Sequence, residues 1–101
     1  MNFNQKVWDV CRQIPKGKIT TYKAIAEKLN TKAYRAVGSA LKKNPYAPKV
    51  PCHRVVNSDG TIGGYKGIRN NNEKIRLLNK EGIITRKGNI VNFKQLLYLI
   101  R

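Results

Sequence analysis

The sequence predicts a mainly α domain with a small β-hairpin, built like a winged helix-turn-helix. Three observations lead there. Apolar residues recur at helical spacing in short segments along the chain, two of them (22–29 and 32–43) almost adjoining. A strand-turn-strand signal follows those two: Val55-Val56, then Asn57-Ser58-Asp59-Gly60, then Thr61-Ile62, with Asp-Gly in the turn. The charge is lopsided, 21 Lys+Arg against 5 Asp+Glu for a net +16, and it is spread over the whole chain. A folded surface fitted to a polyanion, above all nucleic acid, suits that balance. A lysine-rich proteome or a ribosome-like setting is the plainer alternative.

The 101 residues suffice for one domain with one compact core, and a hydrophobic content of 41% is ordinary for such a domain. No apolar run approaches the roughly 18 residues of a membrane span. Met1–Lys6 lacks the layout of a signal peptide. A monomeric, intracellular protein, cytoplasmic or nucleoid-associated, is therefore expected, with no membrane partner. Cys11 and Cys52 make no disulfide framework and point to free thiols in a reducing compartment. Two cysteines and one histidine fall short of a zinc site's four ligands, so no metal is expected.

Taken in order, residues 4–14 place Val7, Val10, Cys11 and Ile14 on one helix face, with Trp8 at its edge. Cys11 on that stripe reads as a small buried hydrophobe. Pro15-Lys16-Gly17-Lys18 breaks the helix. A second helix over Tyr22–Leu29 takes Thr20 or Thr21 as N-cap and turns Ile25, Ala26 and Leu29 inward. A third over Lys32–Lys43 takes Thr31 as cap and carries Arg35, Lys42 and Lys43. The pair, about 22–43, reads as a helix-turn-helix. Beyond the predicted hairpin, Gly63-Gly64-Tyr65-Lys66-Gly67 lacks the spacing of a phosphate-binding loop and reads as mobile backbone able to approach a ligand. A fourth helix spans about Asn72–Lys80, with Ile75 and Leu78 inward and Gly82 as its stop. Segments 83–85 and 89–91 suggest a second short hairpin. Phe93–Ile100 reads as a closing apolar helix.

Pro48–Val56 concentrates the chemistry. Pro45, Pro48 and Pro51 impose a stiff, extended path. The chain's only histidine, His53, stands between Cys52 and Arg54 with no acid nearby in sequence. Positive neighbours favour a thiolate. On an extended segment His53 would reach Cys52 through a bridging water, and a basic histidine wants a third group to orient it. Of the five acids, Glu81 at the end of the fourth helix is the best placed. On spacing alone, a structural cysteine beside a satisfied histidine is an equal reading.

Pro51-Cys52-His53-Arg54-Val55 resembles the active-site signature of O6-alkylguanine-DNA alkyltransferases. Thr21-Tyr22, Arg35-Ala36-Val37-Gly38, Asn44-Pro45 with Pro48, Gly63-Gly64-Tyr65, and Leu77-Leu78 followed by Glu81-Gly82 fall in that family's order over roughly residues 3–82. The resemblance implies the winged helix-turn-helix-like alkyltransferase C-terminal domain as the fold. It implies Cys52 as acceptor of the alkyl group from O6 of a flipped-out guanine, with His53 as base through a water and Glu81 holding the imidazole. Tyr22 would assist base rotation and protonate the departing guanine, and Arg35 would fill the gap in the stack. Lys23, Thr31, Lys42, Lys43 and Ser58 join Tyr22 and Arg35 as implied DNA contacts, Ser58 closing over the base. Asn44, Pro48, Val50, Tyr65 and Lys66 belong to the implied substrate pocket. The partner would be double-stranded DNA containing O6-alkylguanine, approached from the minor groove. The thioether product would make the protein single-use and free of any cofactor.

Three departures from the family stand out. The chain is expected to lack the N-terminal domain that many members carry, Lys66 stands where a serine is common, and the 67–72 loop is longer. Two other functions fit parts of the chain. An alkyltransferase-like damage sensor shares the single-domain size but has another residue, often tryptophan, in place of Cys52. A winged-helix transcription regulator would explain charge and fold but not Pro51–Val55.

Overall fold

The computed structural model describes residues 1–69 and 71–100. Asn70, within the longer loop expected at 67–72, lies outside the described residues. Among the described residues, five α-helices and three two-stranded sheets make a mainly α fold, as the periodicity predicts. No helix among the described residues is long and apolar enough to cross a membrane.

Helix α1 (Phe3–Cys11) opens with a capping box: the Asn2 side chain accepts from the Gln5 backbone N–H, and the Gln5 side chain accepts from that of Asn2. It buries Val7, Val10 and Cys11 against α2 (Tyr22–Lys28) and α3 (Tyr34–Lys42). Trp8 donates its indole N–H to the Ala40 carbonyl at 2.7 Å, tying α1 to α3. Thr21 caps α2 by accepting from Ala24 N–H.

Helix α3 begins two residues later than expected. The Thr31 hydroxyl accepts from Ala33 N–H, a local turn that holds residues 31–33 out of the helix and leaves Ala33 as an uncapped start. Thr31 is therefore a turn former rather than the cap.

The expected hairpin between Val55-Val56 and Thr61-Ile62 does not form. Strand β2 (Val55–Val56) pairs in parallel with β1 (Thr20–Thr21), Thr20 opposite Val55 and Thr21 opposite Val56. Both valines are fully buried, and a short strand apolar on both sides is stable only inside the fold. The 57–61 loop closes on itself instead: Asn57 N–H donates to the Thr61 carbonyl, and Asp59 accepts from both the backbone N–H and the hydroxyl of Thr61.

The glycine-rich segment is ordered as a hairpin, β3 (Gly64–Tyr65) with β4 (Ile68–Arg69), turning through Lys66 and Gly67. Both turn residues have positive φ, the geometry a two-residue hairpin demands. The second expected hairpin is present as β5 (Thr85–Arg86) and β6 (Asn89–Ile90), turning at Lys87-Gly88.

Helix α4 (Asn72–Lys80) is capped by Asn71 and ends in a Schellman motif. Gly82, at φ +86°, donates to the Asn79 carbonyl, and Ile83 donates to that of Leu78. Glu81 is thereby held on a rigid helix end. The closing segment is helical only over α5 (Phe93–Leu96). Leu97 turns extended because the backbone of Ile19 needs partners: Ile19 N–H donates to the Leu96 carbonyl, and Tyr98 N–H to that of Ile19.

Two apolar clusters result. One gathers α1, α2 and α3 with Val50, Cys52, Val55 and Tyr65. The other gathers Ile19, Val56, Ile62, Leu78, Ile83 and Ile90, with Phe93 and Leu96 packed on it. The cysteine segment lies where they meet.

Candidate active site

Residues Cys52–Arg54 form one turn of 3-10 helix rather than continuing the extended path. The turn arises where proline stiffening ends at Pro51 and the Arg54 backbone N–H bonds back to the Pro51 carbonyl. It faces Cys52 into a cavity of about 770 Å3 while His53 and Arg54 turn toward α4. Cys52 is 6% exposed, so the thiol reaches the cavity and little else.

Behind it, the His53 imidazole meets the Glu81 carboxylate, Nε2 to Oε2, at 2.9 Å. Arg54 grips the same carboxylate with two prongs, Nε to Oε1 at 2.8 Å and Nη2 to Oε2 at 2.6 Å, and donates through Nη1 to the Ile14 carbonyl at 2.8 Å. Burial pushes the Glu81 carboxyl up, but the bonds from Arg54 and His53 outweigh it and hold it at about 2. Burial pulls His53 below its ordinary value, against the opposing pull of Glu81, so the ring is neutral at pH 7. With Nε2 committed to Glu81, Nδ1 is buried and has no hydrogen-bond partner among the described residues. That nitrogen is the free basic position. Arg54, read from sequence only as a positive neighbour of the thiol, is thus the clamp that orients the whole group. Alternation along a strand hid it, because the turn changes where successive side chains point.

Tyr22, the first residue of α2, closes one wall, and its hydroxyl donates to the Gly64 carbonyl at 3.4 Å. A side chain at Gly63 would be strained: its φ is +73°, and a Cβ would lie 3.3 Å from both the Tyr22 hydroxyl and the Asn57 amide. Burial pushes the Tyr22 and Tyr65 phenols up to about 12, Cys52 adding to each, so both are proton donors at neutral pH. Burial likewise takes the Cys11 thiol to about 12, which makes it an inert core residue.

Of the residues singled out in the sequence, Tyr22, Arg35, Lys42, Cys52, Tyr65 and Lys66 line the cavity. Asn44, Pro48 and Val50 do not. Val50 is buried in the core, and its carbonyl accepts from the Asn44 side-chain amide at 2.8 Å. Asn44 also accepts from Tyr46 N–H, so it braces the approach to the thiol from behind. Pro48 is exposed, as are Lys23, Lys43 and Ser58, outside the cavity; Thr31 is half-buried in its turn. Lys66 leans over the Tyr65 ring, 5.4 Å from its centroid, and pairs with Glu73 at 3.6 Å. Sequence reading missed Lys74, a fully buried lysine beside the cavity. No signal marked it, since a lysine in an amphipathic helix ordinarily reads as solvated.

The family model described as "6-O-methylguanine DNA methyltransferase, DNA binding domain" matches residues 2–83. A methylated-DNA–protein-cysteine methyltransferase of Candida glabrata is 50% identical over 66 residues, 64% of this chain and 32% of that protein. A Mycobacterium tuberculosis OGT solved in complex with DNA superposes with a TM-score of 0.74 at 41% identity, covering 81% of this chain and 49% of that one. S. pombe Atl1, solved with damaged DNA containing O6-carboxymethylguanine, gives a TM-score of 0.80 at 33% identity over 95% of this chain and 94% of that one. The chain spans from 32% to 50% of the length of the first curated methyltransferases it matches.

Proposed function

The chain belongs to the family of the 6-O-methylguanine DNA methyltransferase DNA-binding domain, and on that premise we propose that it repairs DNA by moving the alkyl group of an O6-alkylguanine onto its own Cys52. One observation carries the reading. A thiol stands in a cavity of about 770 Å3, backed by a histidine whose free Nδ1 is set by the Glu81–Arg54 pair. A cavity of that size is ample for a nucleobase.

The chemistry balances as follows. The thiol proton passes through a water to His53 Nδ1. The Cys52 sulfur bonds to the alkyl carbon, the carbon–O6 bond breaks, and its electron pair goes to the guanine. The Tyr22 hydroxyl gives the departing base a proton. Burial makes a lasting Tyr22 phenolate costly, so Tyr22 recovers a proton at once from the imidazolium or solvent. The thioether has no easy leaving path, so each protein acts once.

Because O6 lies inside the duplex, the guanine must leave the stack, at about a few kcal/mol, less for a poorly paired lesion. Arg35, exposed on α3 and lining the cavity, fills the gap in this reading. Approach from the minor groove suits repair at any sequence, since contacts there and to phosphates carry little base information. The net +16 supplies the phosphate attraction. Lys23, Lys42 and Lys43 are the phosphate contacts in this reading, Ser58 covers the extruded base, and the protein acts as a monomer.

Incubation with an O6-methylguanine oligonucleotide should add one methyl group to the Cys52 peptide, read by mass spectrometry. Cys52→Ala should abolish transfer and keep lesion binding. An unchanged mass with lesion-selective binding would sink the reading in favour of damage sensing. That second reading draws support from the likeness to Atl1 along nearly its whole length. The cysteine itself favours transfer.

A further inference from the structure

Four cations and no acid lie beyond residue 83, where the family match ends: Arg86, Lys87, Lys94 and Arg101. The hairpin of β5 and β6 brings one of them, Lys87, into the lining of the thiol's cavity, together with Gly88. Nothing in the transfer chemistry above uses it.

Backbone chemistry fixes its placement. Lys87 and Gly88 turn the hairpin at φ +51° and +78°, both in the left-handed region that a two-residue turn requires. The Asn89 side-chain amide donates to the Lys87 carbonyl at 3.2 Å. The hairpin is then tied to the 57–61 loop. Ile62 N–H donates to the Gly88 carbonyl at 3.0 Å, Ile90 N–H donates to the Gly60 carbonyl at 2.9 Å, and Thr61 bridges to Asn89. Ile90 is buried, and Phe93 packs on Gly60, where a Cβ would lie 3.3 Å from its ring. A two-stranded ribbon is marginal by itself, and here the loop that holds Ser58 carries it.

The charge on Lys87 is free to act. Arg35, Lys42, Lys66 and Lys87 line the cavity, and no acidic residue does. Lys66 pairs with Glu73, and Lys42 lies against Gly67, its Cε 2.7 Å from where a Cβ there would stand. Arg35 fills the stack in the reading above. Lys87 is exposed and joins no ion pair among the described residues. A base enters a cavity with its sugar and the two phosphates that join it to the strand, and these bring negative charge to the rim.

Building on the reading of the cavity as the seat of an extruded guanine, we propose that Lys87 binds a phosphate flanking that nucleotide. The contact forms when the nucleotide leaves the stack, so it adds to lesion preference rather than to general DNA affinity.

Equilibrium binding of wild type, Lys87→Gln and Lys94→Gln tests this, on duplexes with and without one O6-methylguanine. Lys94, exposed on α5 and outside the cavity lining, controls for the loss of one charge. Lys87→Gln should weaken lesion binding about fivefold and undamaged binding less than about twofold, while Lys94→Gln should change both alike. A methylphosphonate, which removes one phosphate charge, is then placed on either side of the lesion. At one of the two positions wild type should lose about fivefold, and Lys87→Gln should lose nothing more. Equal effects of the two substitutions, or no methylphosphonate penalty at either position in wild type, overturn the proposal alone. A wild type with no preference for the lesion duplex removes the reading of the cavity and the proposal with it. If Lys87→Gln does not fold, Lys87→Asn takes its place, because asparagine accepts positive φ.

Discussion

Arg54 and Glu81 face each other as a two-pronged ion pair, 2.8 and 2.6 Å, and the same carboxylate holds His53 at 2.9 Å. Two neighbouring residues of one turn thus converge on a single acid 27 and 28 positions away. The pair is largely buried, with side-chain exposures of 16% and 11%. Such a pair adds little net stability against an apolar replacement, but breaking it by removing one partner is costly. Its value here is orientation: it settles which imidazole nitrogen is free.

Arg54→Met should therefore destabilise the fold by roughly 3 kcal/mol, because Glu81 is left buried with only His53. Urea unfolding measures this. A loss below about 1 kcal/mol would mean that the clamp is not formed in solution.

Glu81 makes stability depend on acid pH. Its folded pKa of about 2 lies below the ordinary 4.5. A depressed acid contributes stability that is complete above about 4.5 and is lost as pH falls toward about 2. The size is roughly 3 kcal/mol, an upper bound for a carboxylate shared by two partners. Unfolding free energies measured from pH 6 to pH 2 should fall in wild type. Glu81→Gln should flatten that slope, and equal slopes would refute the assignment.

Gly63→Ala places a Cβ at positive φ, 3.3 Å from the Tyr22 hydroxyl and the Asn57 amide. A loss of about 1–2 kcal/mol in stability is expected from the backbone alone. The displaced Tyr22 should slow methyl transfer more than it weakens DNA binding. Thermal melts and single-turnover assays separate the two effects, and an unchanged transfer rate would count against Tyr22 as proton donor.

Arg35→Ala should weaken lesion recognition and base extrusion more than bulk DNA affinity. Most of the affinity should come from phosphate contacts and so fall steeply as salt rises. Fluorescence of a 2-aminopurine beside the lesion reports the extrusion. Equal losses on damaged and undamaged duplex would reduce Arg35 to one more phosphate contact.

The helices were legible in the residues because each carries its own apolar stripe and its own punctuation. Thr21 starts one, Gly82 ends another, and Lys87-Gly88 marks a hairpin; all of these are local chemistry. The cysteine, the histidine and the acid nearest to it in space were also readable, the first two from composition and Glu81 by elimination among five acids. What required the folded chain were pairings between distant segments. Val55-Val56 chose Thr20-Thr21 over the nearby Thr61-Ile62 because two apolar faces needed burial on both sides. Leu97 left its helix to satisfy the backbone of Ile19. Arg54 became a clamp because one 3-10 turn redirected its side chain toward Glu81. Lys74 is held inside by three backbone carbonyls, those of Val55, Ile62 and Gly64, scattered over ten residues. Local propensity carries no record of such long-range satisfaction of polar groups, and in this protein it is what surrounds the thiol.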